Sequence, residues 1–151
     1  MSEHDLKRFT LLAELAEDER AAVAEELETL QVEAGTELFE EGEQGEGLLF
    51  VARGGVRVES SRCTGGLELG PGAALGAFSL VASGAREVRA ETTSRSTLLV
   101  LRRSAFRRFA DTHPRAACRL LEAILRETTR VGRDALLDLD GRDVDRSGSG
   151  D

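Results

Sequence analysis

Leu69-Gly70-Pro71-Gly72-Ala73-Ala74-Leu75-Gly76-Ala77-Phe78-Ser79-Leu80, followed closely by Gly84-Ala85-Arg86, runs through a Pro-Gly turn, a strand end, a glycine and a short apolar helical turn. Arg86 stands ten residues after Gly76. This is the layout of a phosphate cradle. Backbone N–H groups at a helix start favour an anion, and a nearby arginine supplies a full positive charge.

The cradle sits inside a segment of one character. Between residues 36 and 102, short apolar runs alternate with glycine turns: Leu38-Phe39, Leu48 to Ala52, Val56 to Val58, Leu67 to Leu69, Val88 to Thr92 and Thr97 to Leu101. Short strands at regular spacing predict a β-barrel or β-roll. Arg53-Gly54-Gly55 reads as a hairpin, because glycine accepts the positive φ of tight turns.

Helical patterns flank the roll. Residues 5–30 read as helical, with Leu6, Phe9, Leu12, Ala13 and Leu15 on one face. Asp18 is the expected cap of a second segment, Glu19 to Leu30, with Ala22, Val23, Leu27 and Leu30 at helical spacing, and Gly35-Thr36 ends it. Downstream, helices are predicted over 104–137. Ser104 caps a short helix through Phe109, His113-Pro114 breaks it, and a long helix runs from Arg115 to about Leu137. Along that helix Ala117, Leu121, Ile124, Thr128, Val131 and Ala135 follow a heptad spacing. Two readings stand. The helix packs on its own roll, or it serves both the roll and a twofold partner through the seam Ala117, Leu121, Ile124, Thr128 and Val131.

Composition sets the broad class. With 151 residues and 40% hydrophobic content, the chain can build one domain with a real core. Trp and Tyr are absent, so Leu, Val, Ala and Phe must fill that core. No apolar run reaches the roughly 18–20 residues of a membrane span, and the polar start Met1-Ser2-Glu3-His4-Asp5 is unlike a signal peptide. A soluble cytoplasmic protein without membrane attachment is expected. Cys63 and Cys118 are far apart in sequence, and neither a disulfide nor a metal site is expected.

The net charge of −8 is unevenly spread. Residues 1–50 carry 15 acidic and 3 basic side chains, residues 51–137 carry 8 acidic and 15 basic, and residues 138–151 carry 5 acidic and 2 basic. An acidic whole speaks against non-specific nucleic-acid binding, while the basic middle suits an anion or an acidic partner. The Ser/Gly-rich acidic tail 138–151 is expected to be disordered. Within it, Asp143-Val144-Asp145-Arg146-Ser147-Gly148 matches the first half of a calcium loop. The sequence ends at Asp151, before the glutamate position, so no calcium site is expected.

Several of these segments together resemble the cyclic-nucleotide-binding domain. Gly35-Thr36-Glu37-Leu38-Phe39-Glu40-Glu41-Gly42-Glu43 resembles the family's first strand and turn, and Leu48 to Val58 its central hairpin. Leu69-Gly70-Pro71-Gly72 precedes the phosphate-binding cassette, and Val88-Arg89-Ala90-Glu91-Thr92 and Leu98-Leu99-Val100-Leu101 resemble the closing strands. The likeness covers residues 6–137 and is strongest to the sensor half of catabolite-activator-type bacterial regulators. It implies a mainly β fold with flanking helices: a double-stranded β-helix, or jelly-roll-like β-roll, plus a long C-terminal helix, over residues 1–137. Leu136 to Arg142 resembles the hinge that leads into the DNA-binding part of such regulators. About ten residues follow, so direct DNA reading is not expected.

The resemblance also implies a ligand, cyclic AMP or cyclic GMP, and a site: Gly76, Ala77, Phe78 and Ser79 of the cassette, Arg86 on the phosphate, and Thr128 and Thr129 of the long helix toward the base. Two departures weigh against it. Ligand-binding members place a glutamate after the cassette glycine to accept the ribose 2′-hydroxyl, and here Ala77 stands there. The lost bond is worth roughly 1.5–3 kcal/mol, about ten- to a hundredfold in affinity. The segment from Gly76 to Val88 is also about two residues short, and Glu87 takes the place of a small residue beside Arg86. Glu87 either pairs with Arg86 on the surface or leaves Arg86 facing the ligand.

No catalytic constellation is visible. His4 and His113 lie near chain ends and breaks, and His113 fits helix capping. Glu40, Glu41, Glu43 and Glu46 read as a solvated loop, and their acids make Gly42 to Gly47 a poor phosphate loop. Arg102, Arg103, Arg107 and Arg108 form either a solvated face or a receptor for the acidic N-terminal helices of another copy. The expected function is a regulatory domain that acts through an effector protein, and as a homodimer through the long helix, with cyclic-nucleotide binding weakened or lost. The alternative is a working sensor. A weaker alternative is a transcription regulator without its DNA-binding half.

Overall fold

The computed structural model describes residues 3–62 and 64–130, with side chains from Leu6 onward. Val131, the tail 138–151 and the half calcium loop at 143–148 lie outside the described residues, as does Cys63; Cys118 is a free, exposed thiol.

Two four-stranded antiparallel sheets form the roll. One has the order β1 (Glu28–Val32), β8 (Ser96–Arg102), β3 (Gly47–Arg53), β6 (Ala74–Leu75). The other has the order β2 (Glu37–Phe39), β7 (Arg89–Thr92), β4 (Val56–Glu59), β5 (Gly66–Leu69). The predicted β-roll with flanking helices is the observed fold. The strands arise where apolar runs were legible, and Gly54, at φ 88°, makes the β3–β4 turn. A Cβ there would sit 2.3 Å from Ser96 Oγ, so only glycine fits.

The β3–β8 ladder is a wall between two cores. It pairs Leu48 with Leu101, Leu49 with Val100 and Phe50 with Leu99. Leu49, Val51, Leu98 and Val100 face the inside of the roll, with Phe39, Val56, Leu75 and Ala90. Leu48, Phe50, Leu99 and Leu101 face the helical layer. A strand buried on both faces must be apolar at successive positions, which is why these two runs lack polar alternation.

The N-terminal segment corrects the sequence reading. Residues 5–15 do not form an α-helix. A 3-10 helix spans Glu3–Arg8, and three-residue turns continue it through Phe9 N–H to Leu6 O (3.1 Å), Leu12 N–H to Phe9 O (2.9 Å) and Leu15 N–H to Leu12 O (3.2 Å). Leu6, Phe9, Leu12 and Leu15 recur every third residue, so three residues per turn buries all four on one side. The first α-helix, α1, is Glu17–Glu26. Its cap is Ala16 rather than Asp18: Glu19 Oε1 accepts the Ala16 N–H at 2.8 Å, and Glu17, Asp18 and Glu19 oppose the positive end of the helix. The predicted helical turn through Leu30 is strand β1, paired with β8 from Glu28↔Val100 to Val32↔Ser96. Ladder hydrogen bonds and β-branched Thr29 and Val32 outweigh the helical spacing of Leu27 and Leu30.

Helix α2 (Arg103–Thr112) buries Ala105, Phe106 and Phe109. Its cap is Arg102, and Ser104 lies within the first turn. His113 ends it, its N–H bonded to Phe109 O at 2.7 Å and its ring stacked on Phe109. Helix α3 occupies 114–130 and buries Ala116, Ala117, Leu120, Ala123 and Ile124 against the N-terminal segment and the wall. Two seam residues, Ala117 and Ile124, are therefore committed to the domain's own core. Leu121 is half-buried, and Leu125 is 65% exposed on the outer face.

Leu120 is 0% exposed and Leu67 is 61% exposed. Leu120→Ala is expected to cost about 2–5 kcal/mol, and Leu67→Ala less than about 0.5 kcal/mol, in denaturant unfolding. Equal losses would contradict this packing of α3.

Candidate functional site

β6 ends at Leu75, and Gly76 reverses the chain in the left-handed region (φ 78°, ψ 27°) into a 3-10 turn, Ala77–Leu80. A cavity of about 370 Å³ opens beside this turn. The roll lines it with Leu69, Gly72 to Phe78 and Glu87; the N-terminal segment adds Thr10 and Leu11; α3 adds Ile124, Glu127 and Thr128. Of the residues the sequence put forward, Gly76, Ala77, Phe78 and Thr128 meet here. Ser79, Arg86 and Thr129 do not line it.

Arg86 takes neither orientation foreseen from the sequence. It is 7% exposed and lies behind the turn. Its guanidinium stacks over the Phe39 ring at 4.3 Å, and Nη1 donates to Ser79 Oγ at 3.2 Å, while Nε is buried without a partner. Glycines make the space: a Cβ on Gly76 would meet Arg86 Nη1 at 2.1 Å, and one on Gly45 would meet Ser79 Oγ at 2.0 Å. The backbone fixes this placement. Arg86 N–H donates to Glu43 O at 2.7 Å, Gly42 N–H to Arg86 O at 2.8 Å and Gly45 N–H to Gly84 O at 3.0 Å. Burial pushes the Arg86 guanidinium below its ordinary range, and Glu87, Glu43 and Glu46 act in the opposite direction.

Glu87, next in sequence, is exposed and borders the cavity, and none of its contacts is an ion pair with Arg86. Glu127, one residue before Thr128, is held by Arg130, whose hydrogen bond, and then its charge, lowers the carboxyl below the usual range. Among the described residues, the cavity's charged lining groups are thus two carboxylates.

The arginine cluster serves the fold. Arg103 Nη1 donates to the carbonyls of Gly45 (3.2 Å), Ser79 (3.1 Å) and Ala82 (3.2 Å), tying the 3-10 turn to the loop before β3. Arg102 pairs with Glu28 at 3.1 Å and Glu46 at 3.2 Å, and Arg108 reaches Glu26 at 3.7 Å. Arg102 and Arg108 thus find acidic partners within the first 50 residues of their own chain. Arg126 pairs with Glu14. Among the described residues no His, Cys, Asp and Glu group is arranged to hold a metal, and no helix is long and apolar enough to cross a membrane.

Sequence reasoning missed Thr10, Leu11, Ile124 and Glu127 as cavity residues. Glu127 was within reach, since Thr128 beside it had been singled out. Thr10 and Leu11 arrive through tertiary packing and carry no local signal.

The family described as cyclic nucleotide-binding domain matches residues 29–113. The N-terminal domain of a transcriptional regulator from Streptomyces coelicolor A3(2) superposes with a TM-score of 0.75 at 25% identity, covering 84% of this chain and 94% of that one. The Thermus thermophilus catabolite activator protein superposes with a TM-score of 0.73 at 30% identity, covering 87% of this chain and 62% of that one. Lysophospholipase NTE1 of Pyricularia oryzae is 29% identical over 112 residues; the chain spans 8% of that curated relative's length.

Gly76→Ala is expected to cost at least about 1 kcal/mol, from the left-handed φ and the contact with Arg86. Gly84→Ala, with nothing within 4 Å, is expected to leave stability nearly unchanged. Thermal unfolding of both variants checks this, and an unperturbed Gly76→Ala would contradict the turn geometry.

Proposed function

The chain belongs to the cyclic nucleotide-binding domain family, and from that premise we propose a regulatory domain that acts through a partner protein, with cyclic-nucleotide binding weakened or lost. One observation carries this reading: among the described residues the cavity's charged lining groups are Glu87 and Glu127, and the arginine that should meet a phosphate is buried behind Gly76. A cyclic phosphate entering there meets like charge. It also lacks an acceptor for its ribose hydroxyl at Ala77. The domain is regulatory rather than catalytic; the lysophospholipase match covers too little of that enzyme to carry its reaction over. A cytoplasmic setting accords with the composition.

Cyclic AMP and cyclic GMP sensing is the second reading. It draws on α3, which supplies Ile124, Glu127 and Thr128 to the same cavity as Gly76 and Phe78, so that an occupant and the helix would sense each other. The likeness to the Streptomyces regulator domain and the catabolite activator protein supports a third, weaker reading as the sensor half of a transcription regulator.

A thermal shift with cyclic AMP and then cyclic GMP at millimolar concentration separates the first two readings. No shift is expected. A ligand at 100 times its dissociation constant adds about 2.7 kcal/mol, so a clear rise would establish the sensor instead.

The outer face of α3, with Leu121 and the exposed Leu125, is the surface proposed to pair with a second copy. Ile124 is unsuitable for testing this, because it belongs to the core. Leu125→Asp is expected to halve the mass seen in light scattering while the unfolding midpoint of the monomer persists. A wild-type mass already equal to one chain would exclude the homodimer.

A further inference from the structure

The cavity beside Gly76 has an apolar body and an acidic mouth. Leu11, Leu75 and Ile124 form the body, and among the described residues no lysine or arginine lines it. Phe78 is 54% exposed at the same cavity, an unusual position for a phenylalanine. Glu87 borders the cavity and is exposed, and among the described residues no side chain pairs with it. Resting on the reading that cyclic-nucleotide binding is weakened, we infer that this cavity takes a small organic cation: a primary amine on an apolar, preferably aromatic, body.

An ammonium donates up to three hydrogen bonds, and a carboxylate accepts them as charge-assisted bonds, roughly twice as strong as neutral ones. The hydroxyls of Thr10 and Thr128, on two other walls, offer further acceptors. Phe78 adds a second attraction, because the face of an aromatic ring draws a cation within about 6 Å of its centre. Glu127 is already paired with Arg130, so Glu87 carries the recognition; Arg86 does not compete for it, since its guanidinium is engaged with Phe39 and Ser79. A space of about 370 Å³ lies at the lower end of the range of small-molecule sites, roughly 300–1,000 Å³, and suits a fragment of one ring and a short chain.

Three probes of similar shape and different charge test this on the full chain: 2-phenylethylamine, 2-phenylethanol and 3-phenylpropanoate, titrated by two-dimensional amide NMR. The amine is expected to bind in the millimolar range and to shift the amides of Gly76, Ala77, Phe78 and Glu87. The alcohol is expected to bind at least about tenfold more weakly, and the carboxylate not at all. Glu87→Gln, an exposed substitution checked for an unchanged unfolding midpoint, is expected to weaken the amine at least about tenfold. Equal binding of amine and alcohol, tighter binding of the carboxylate, insensitivity to Glu87→Gln, or no amine binding at 10-millimolar levels (about the weakest affinity the titration detects) would each overturn the inference. Cyclic AMP runs as a separate arm. Its binding would overturn the weakened-nucleotide reading, whereas failure of the amine alone would leave that reading standing.

Discussion

The antiparallel pairing of β3 with β8 is the constraint on which the rest of the molecule depends. It is apolar on both faces, so it needs a roll interior on one side and a helical layer on the other. Phe50, at the centre of the wall, meets Phe9 of the N-terminal segment with ring centroids 5.1 Å apart. Leu49 and Phe50 also pair with Leu75 and Ala74 of β6. The wall therefore sets where β6 ends and Gly76 begins. The N-terminal segment and α3, packed on its outer face, bring Thr10, Leu11, Ile124, Glu127 and Thr128 to the cavity.

The site follows from how one short loop is stitched. The segment around Gly84 to Arg86 pairs with Gly42 to Gly45, including a bridge between Gln44 and Ala85. That pairing sends the Arg86 side chain inward, between Gly45 and Gly76 and over Phe39. Burial of a guanidinium is tolerated because the ring face and Ser79 replace part of its hydration. Glu87, one residue on, is left at the cavity edge. A glycine-lined turn that looks built for an anion thus presents a carboxylate, and the arginine has become part of the scaffold beneath it.

Much of the roll was legible in the sequence, because strand runs such as Leu48 to Ala52 and Thr97 to Leu101 are short, apolar and bounded by turn residues. The glycine at position 76 and the breaker His113-Pro114 were equally local signals. Residues 5–15 were misread for a physical reason: a three-residue apolar period resembles a helical face, and only the hydrogen bonds distinguish 3-10 turns from an α-helix. Leu30 was misread because pairing with β8 decides its conformation. At the site, the shortened loop, Ala77 and Glu87 were visible as departures. The direction of Arg86 was not, since it depends on Gly45, Phe39 and Ser79, three separate stretches of chain. The same holds for the seam: heptad spacing marks Ala117 and Ile124 as apolar, but not whether their partner is the domain itself or another copy.

The central claim is that Arg86 stays behind Gly76 and does not face the cavity. Its side-chain Nε–H reports this directly in a nitrogen-15 NMR titration with cyclic AMP. The account predicts an Nε–H that exchanges slowly with solvent and does not move as cyclic AMP is raised to millimolar levels. A saturable shift of the Arg86 Nε–H together with the Gly76 and Ala77 amides would contradict it, placing the guanidinium on the phosphate and making the domain a sensor.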